Sequence, residues 1–269
     1  MPEMELEQQE RQAAEERTSV SAKIVLEAVR RGGEEELART STALAWSGLA
    51  AGIAMGFSLL AEGVIRSHLP DASWRPLIAK LGYSLGFLIV IVGKQQLFTE
   101  NTLTPIIPLL NNRDRETMWQ VLRLWSIVLV ANTAGAFLVG WFFACSPALS
   151  TDLQKGLFET AREATSADFG TALVRGIPAG FLIALVVWLR AATDSGEVAI
   201  LIILTYFIAL PGFTHIVAGS VECFFLIMAG VRSIQWFAGN YFVPVLVGNV
   251  LGGVGLVASL NHAQVKTDA

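Results

Sequence analysis

The chain has 269 residues, of which 53% are hydrophobic, and its mean hydropathy is +0.54. Charged residues make up 16%, against about 25% in soluble domains, and the formal net charge is −4. Ten of the 23 acidic residues fall within the first 40 positions. This composition indicates a polytopic membrane protein with a polar tail and argues against nucleic acid as a partner.

The N-terminal 40 residues are predicted to form a cytoplasmic tail. Its first part, "MPEMELEQQERQAAEER", is charged and poor in apolar residues, which is typical of disorder. Val20, Ile24, Val25 and Val29 then recur at helical spacing, so we expect a short amphipathic helix near the membrane surface that ends at Gly32-Gly33. The transmembrane domain is expected over residues 41–262, and a cytoplasmic C-terminal tail over 263–269.

The apolar segments predict six crossings of a bilayer. Four are continuous, at residues 43–65, 124–146, 171–190 and 237–260. Two, at 81–110 and 198–230, are apolar, then polar, then apolar, which is typical of a helix in two halves with a break. The termini then share one side, which carries 11 Lys and Arg residues against seven on the other. This excess favours the cytoplasm for both termini.

The two halves of the chain repeat one pattern. Thr99 lies in the first break and is followed 33 residues later by Asn132, in "NTAG". His215 lies in the second break and is followed 34 residues later by Asn249, in "NVLG". Because each half crosses three times, the second half is inverted relative to the first. An inverted repeat with paired broken helices predicts a transport site at the breaks.

The residue types at the breaks suit a polar or anionic solute. A half-helix that resumes at the midplane offers free backbone N–H groups and partial positive charge. His215 can donate a hydrogen bond or exchange a proton, and Thr99 supplies a hydroxyl that faces His215 or caps the helix after it. Lys94 and Glu100 are expected to form an ion pair at the first break. Glu222, two turns beyond His215, is expected either to act on His215 through water or to face another subunit.

Features of catalytic or metal sites are weak. "GYSLG" matches the nucleophile-elbow pattern, but Ser84 lies within a predicted half-helix, so pairing of Ser84 with His215 in a protease is a minor alternative. Cys145 and Cys223 lie in apolar runs and are interpreted as core residues. We predict no enzyme activity, no cofactor and no metal.

Three stretches resemble the formate–nitrite transporter family over about residues 40–262. "YSLGFLIVIVGKQQLFTENT" is similar to the second helix and Ω-shaped loop, "PGFTHIVAGS" to the break of the fifth helix, and "VGNVLGG" to the Asn motif of the sixth. The stretches resemble most a divergent branch from bacterial inner membranes.

The resemblance implies an all-α, aquaporin-like protomer of six helices with an inverted repeat, in a homopentamer with one pore per protomer. It also implies small monovalent anions such as formate or nitrite as solutes. The implied sites are a central polar pair of Thr99 and His215; gate and constriction residues Tyr83, Phe87, Leu97, Phe98 and Ile208; and supporting asparagines Asn132 and Asn249.

The sequence departs from the family at four positions. Ala164 stands where the family usually has a lysine near the outer entrance, and Arg162 and Arg175 are the candidate substitutes. Thr214 replaces an acidic residue, and Gly180 and Gly219 replace polar ones. The candidates for tuning the charge of the pore are Lys94, Glu100, Arg162, Arg175 and Glu222.

The sequence therefore predicts a channel or transporter for small weak-acid anions in the bacterial plasma membrane, with proton linkage through His215 as part of the hypothesis. Two alternatives stay open: a neutral-solute channel on the same fold, and a closed pentamer that does not conduct.

Overall fold

The computed structural model describes residues 20–193 and 195–267, so the stretch predicted to be disordered lies outside the described residues. Helix α1 spans Ala22–Ala38 and runs through Gly32-Gly33, where the sequence predicted its end. The prediction was wrong because Gly33 is a point of close approach: a Cβ there would lie 2.1 Å from the carbonyl oxygen of Thr104. This glycine lets α1 dock on the first break.

Nine further helices follow α1 along the described chain. They are α2 (Ser41–His68), α3 (Arg75–Val92), α4 (Ile106–Asn112), α5 (Arg115–Cys145), α6 (Thr151–Ala164), α7 (Phe169–Ala191), α8 (Glu197–Ala209), α9 (Ile216–Met228) and α10 (Ile234–Val265). Helical turns continue from α10 to Thr267, so the expected boundary at residue 262 falls inside a helix. Helices α2, α3, α5, α7 and α10 are long and apolar enough to cross a membrane.

The two interrupted crossings are divided differently. In the second, α8 and α9 have 13 residues each, as expected for two half-helices. In the first, the apolar run at 81–92 extends back to Arg75 and makes an 18-residue span, whereas α4 has only seven residues. The crossing therefore starts before residue 81, where the sequence predicted its start, because Arg75–Lys80 adds helical turns.

Small residues join the first and third helices of each half. A Cβ on Gly52 of α2 would lie 2.2 Å from the carbonyl oxygen of Asn132 on α5. A Cβ on Gly180 of α7 would lie 2.1 Å from the carbonyl oxygen of Asn249 on α10. Backbones approach this closely only where side chains are absent. The equivalent contacts confirm the predicted fold class, an all-α protomer with six crossings, an inverted repeat and two broken helices.

Aspartates begin two of the long helices. The carboxylate of Asp114 accepts the N–H of Thr117 at 2.8 Å at the start of α5, and that of Asp168 accepts the N–H of Thr171 at 2.8 Å at the start of α7. These backbone donors hold the pKa of both carboxyls below its ordinary value. The caps fix where the two helices start.

The outer faces of the helices are apolar. Trp119 and Val130 on α5 and Val174 on α7 are 71%, 68% and 63% exposed. In water such surfaces would be unfavourable, but they suit contact with lipid or with another copy of the chain.

Candidate functional site

Asn132 holds the first break through all of its hydrogen-bonding atoms. Its Oδ1 accepts the N–H of Phe98 at 2.9 Å, and its Nδ2 donates to the carbonyls of Gly48 at 2.8 Å and Gln96 at 2.9 Å. Residues 93–105 lack a continuous helix, so the N–H of Phe98 and the carbonyl of Gln96 have no helical partner. A single buried amide thus satisfies both sides of the loop and ties it to α2.

Asn249 does the same for the second break. Its Oδ1 accepts the N–H of Ile216 at 2.9 Å, and its Nδ2 donates to the carbonyls of Gly176 at 2.8 Å and Thr214 at 2.9 Å. The bonding set matches that of Asn132 group by group: one backbone N–H in the break, one carbonyl in the break, and one carbonyl on a glycine of the facing helix. The repeat therefore extends to individual hydrogen bonds.

The two breaks meet at Thr99 and His215. The Oγ1 of Thr99 lies 2.8 Å from the Nε2 of His215, and both residues are almost completely buried. The Nδ1 of His215 accepts the N–H of Ala218 at 3.2 Å, so His215 is the capping residue of α9. Because Nδ1 is an acceptor, the neutral ring carries its proton on Nε2 and donates it to Thr99.

Thr99 itself caps no helix, since its side chain accepts no N–H from the turn that follows. The capping function expected of Thr99 as one alternative was wrong, because its hydroxyl is directed at His215 instead. The capping residue at the centre is the histidine.

Aromatic and aliphatic side chains close the space around this pair. The ring of Phe87 packs edge-on against His215 with 5.0 Å between centroids, and Tyr83 lies 5.1 Å from Phe87. Leu97, Phe98 and Ile208 are almost completely buried. The structure thus places Phe87 against His215 with Tyr83 next to it, and the function of all five residues as gates stays a prediction.

A cavity of about 40 Å³ lies on the side of the membrane away from α1, which we call the far-side cavity. It is large enough for two or three water molecules. Its walls include His215, Tyr83 and Glu222, and also residues that the sequence did not single out: Glu62, Lys80, Glu163 and Tyr241. Glu222 therefore shares a cavity with His215, which favours the first of its two expected placements.

The far-side cavity holds a buried ion pair. The Nζ of Lys80 lies 3.0 Å from an Oε of Glu62 and 3.5 Å from one of Glu163. Glu163 also pairs with Arg66 at 2.8 Å. Sequence reasoning missed Lys80 because it counted this residue among loop charges. The signal was present in the spacing, since Lys80 lies three residues before Tyr83 and one helical turn places both on the same face.

Lys80 is the lysine that lines the same cavity as Ala164, the position where the family usually has a lysine. The two expected substitutes do not line it. Arg162 is exposed and packs over the ring of Phe158. A guanidinium nitrogen of Arg175 would lie 3.7 Å from a Cβ on Gly212, at the rim.

Two of the glycine departures have packing explanations. A Cβ on Gly219 would lie 1.6 Å from the hydroxyl oxygen of Tyr241, so this hydroxyl occupies the space of a side chain at 219. Tyr241 belongs to a π-helical stretch of α10, Phe237–Phe242, and its hydroxyl donates to the carbonyl of His215 at 3.4 Å. Gly180 faces the backbone of Asn249, as described above. A polar group thus remains beside His215, but it comes from α10.

The remaining family departure, Thr214, faces away from the centre. Its hydroxyl donates to the carbonyl of Ala172 at 2.7 Å. This residue fastens the second break to α7.

Lys94 and Glu100 do not pair with each other. Glu100 lies 3.4 Å from Arg190 at the end of α7. Lys94 is exposed, has a left-handed backbone with φ 51, and makes no ion pair within the described residues. The expected pair was wrong because the turn at Lys94 directs this side chain outward, whereas Glu100 faces α7. Both line a cavity of about 470 Å³ beneath α1, which we call the tail-side cavity.

Ser84 and His215 are not hydrogen-bonded to each other. Ser84 accepts the hydroxyl of Thr205 at 2.8 Å and donates to the carbonyl of Ile202 at 3.3 Å. The geometry therefore gives no support to the protease alternative. Within residues 20–193 and 195–267, no group of three or more His, Cys, Asp or Glu could hold a metal ion.

The model of the formate/nitrite transporter family matches residues 23–263. The chain belongs to the formate/nitrite transporter family. Among its relatives, inner membrane protein YfdC of Escherichia coli is 35% identical over 99% of this chain and 87% of the relative. The formate channel BtFdhC of Bacillus thuringiensis is 28% identical over 88% of this chain and 90% of the relative.

Solved structures of the family share the fold. An FNT family ion channel matches with a TM-score of 0.77 at 16% identity, and the match covers 90% of this chain and 98% of the channel. A pentameric formate channel with formate bound matches with a TM-score of 0.67 at 20% identity, over 88% and 99%. Membership in the formate/nitrite transporter family identifies the chain as a membrane transporter and not an enzyme.

Proposed function

We propose that the protein conducts small monovalent weak-acid anions, of the formate or nitrite kind, along a path through each protomer. The observation that carries this proposal is the contact of Thr99 with His215 where two broken helices meet. The path would run from the tail-side cavity past Leu97 and Phe98 to this pair, and then into the far-side cavity.

The centre can lower the cost of moving such a solute. A bare anion is strongly disfavoured in a low-dielectric constriction. The N-terminal end of α9, the N–H of His215 and the hydroxyl of Thr99 are donors at that point. If the solute takes up a proton before the constriction, only a neutral polar molecule has to pass Phe87 and Leu97.

The assembly and location are part of the proposal. One structural relative is a pentameric formate channel, and exposed apolar faces such as that of Trp119 suit packing between copies and against lipid. Another relative is an inner membrane protein. We propose a homopentamer in the bacterial plasma membrane, with both termini in the cytoplasm as the excess of Lys and Arg favours.

Uptake into proteoliposomes tests the function. Wild type, His215→Ala and the control His68→Ala, which changes an exposed histidine at the end of α2, are compared with formate, nitrite, acetate, lactate and hydrosulfide. We expect uptake of at least one of these anions by wild type and by His68→Ala, and its loss in His215→Ala. If wild type takes up none of them faster than empty vesicles do, the proposed function is wrong.

A neutral-solute channel is the second candidate. The lining of the far-side cavity favours it, because three carboxyls, of Glu62, Glu163 and Glu222, accompany a single ammonium, of Lys80, and leave no excess of positive charge to attract an anion. Osmotic swelling of vesicles with water, ammonia or glycerol, independent of pH and of added anion, would support this candidate.

The tail offers a third outcome, a closed pentamer. Helix α1 lines the tail-side cavity, and the hydroxyl of Thr104 donates to the carboxyl of Glu36 on α1 at 2.6 Å. Deletion of residues 1–40 would open the path if α1 closes it. Uptake that begins only after this deletion would support a closed state.

A further inference from the structure

Glu222 is a buried carboxyl in the far-side cavity. It is 5% exposed, lines the far-side cavity, and makes no hydrogen bond or ion pair within the described residues. A carboxylate in such a place would be expected to have a cation or several donors around it. A molecule that enters the cavity could therefore be the missing partner of this carboxyl.

The neighbouring charges balance one another without Glu222. Lys80, Arg66 and Arg75 supply three positive charges to this network, and the carboxylates of Glu62, Glu163 and Glu159 supply three negative ones, joined by contacts of 2.8–3.5 Å. An ionised Glu222 would be a surplus negative charge within the membrane. Such a charge is costly, and the group avoids the cost by holding a proton.

His215 is poorly placed to hold an exchangeable proton. Its Nδ1 already accepts the N–H of Ala218, so a proton added there would remove the cap of α9. Loss of the proton on Nε2 would leave an anionic ring against Thr99. The imidazole thus acts as a fixed hydrogen-bond donor, whichever solute passes.

The other titratable groups that face the cavity are Glu62 from α2, Lys80 and Tyr83 from α3, Glu163 from α6 and Tyr241 from α10. The tyrosine hydroxyls release protons only near pH 10 in their ordinary state, which makes them poor donors at neutral pH. Lys80, Glu62 and Glu163 are engaged in ion pairs. Glu222 is the group left to exchange a proton with a molecule in the cavity.

We propose that Glu222 is the proton donor of the far-side cavity and acts on the weak-acid anion before it reaches Thr99 and His215. The O–H bond of the Glu222 carboxyl breaks and an O–H bond forms on the anion, which continues as the neutral acid. The Glu222 carboxylate that remains takes one proton from the solution on the far side. One anion and one proton therefore cross together, and this inference rests on the proposed function.

The geometry favours this order of events. Glu222 lies seven residues along α9 from His215, or about 10 Å at 1.5 Å per residue. The anion would thus meet the donor at the entrance and the constriction afterwards. The ammonium of Lys80 lines the same cavity and limits the cost of the carboxylate between donation and reprotonation.

Tracer formate uptake and a pH dye trapped inside proteoliposomes test the donor. Glu222→Gln keeps the size and neutrality of the side chain but has no acidic proton, and Glu116→Gln changes an exposed carboxylate at the start of α5 as a control. We expect wild type and Glu116→Gln to carry one proton per formate. In Glu222→Gln, uptake should fall by about tenfold or more, as for loss of a general acid. Unchanged rate and proton coupling in Glu222→Gln would overturn the proposal.

Infrared spectroscopy separates the donor from the transport function. Wild type at neutral pH should show a carboxylic-acid C=O band that loses intensity in Glu222→Gln and keeps it in Glu116→Gln. The same band intensity in wild type and Glu222→Gln, with normal formate uptake in wild type, refutes the donor alone. Lack of uptake of every anion by wild type refutes the proposed function and the donor with it. Equal elution of the variants on size-exclusion chromatography verifies that assembly is unchanged.

Discussion

The two breaks share their support but differ in their backbone. Asn132 and Asn249 bind equivalent backbone groups at distances that agree within 0.1 Å. The first break nevertheless takes up residues 93–105, with a 3-10 turn and a short α4, whereas the second passes from α8 to α9 in six residues. The repeat thus conserves the anchor of each break and leaves its length free.

This difference decides what each break presents. The longer first break turns back into the protein and offers the side-chain hydroxyl of Thr99. The shorter second break starts a helix at the centre, capped by His215. One half therefore contributes a hydroxyl alone, and the other contributes an imidazole together with the positive end of a helix.

Removal of either supporting asparagine should have the largest effect. Asn132→Ala or Asn249→Ala removes the side-chain partner of one N–H and one carbonyl at the break, at about 1–3 kcal/mol for each group. We expect both variants to lose several kcal/mol of stability, measured as the thermal unfolding of the purified protein in detergent. Asn112→Ala, at the exposed end of α4, is the control. A variant at only one of the two positions that unfolds like wild type would show that the breaks are not equivalent.

The second break also differs in its charged surroundings, which Lys80 tests. Lys80→Met leaves Glu62 buried and unpaired, which costs about 3–5 kcal/mol for a broken buried pair. The double variant Lys80→Met with Glu62→Gln should recover most of this loss, since both charges are then gone. Thermal unfolding of both variants measures the difference. No recovery in the double variant would mean that the pair is not the source of the loss.

Substitutions of Thr99 test whether its hydroxyl is the contribution of the first break to transport. Thr99→Val keeps the shape and leaves the N–H of His215 unpaired, at about 1–3 kcal/mol, or about 5- to 150-fold in rate if the loss falls on transport. Thr99→Ser keeps the hydroxyl and should transport like wild type. Initial rates of formate uptake are the measurement. Equal rates for Thr99→Val and Thr99→Ser would contradict a contribution of the hydroxyl.

The sequence predicted the anchors and the central pair well, because each is a polar residue in or beside an apolar segment, where a polar residue needs a specific partner. Asn132, Asn249, Thr99 and His215 stand out in this way. It predicted the charge contacts poorly. Glu100 pairs with Arg190, 90 residues away, and Lys80 with Glu62 from another helix. Proximity along the chain favoured Lys94 as the partner of Glu100. Ion pairs form between residues on facing helices, and spacing along the chain does not reveal which helices face each other.

The last difference between the breaks is that α1 reaches the first one, and Glu36 makes that contact pH-dependent. Burial of its carboxyl beneath α1 raises the pKa of Glu36 above its ordinary value. Docking of α1 therefore favours the protonated form: the stabilisation is fully present below the ordinary pKa of Glu and is lost as pH rises through the raised pKa.

Amide hydrogen exchange of Ala22–Ala38, corrected for intrinsic rates, should show less protection at higher pH. Glu36→Gln keeps an acceptor for Thr104 and should remove this pH dependence. The free energy of docking of α1 should change by about 0.5–1.5 kcal/mol at most. The same pH dependence in Glu36→Gln would mean that another group controls the docking.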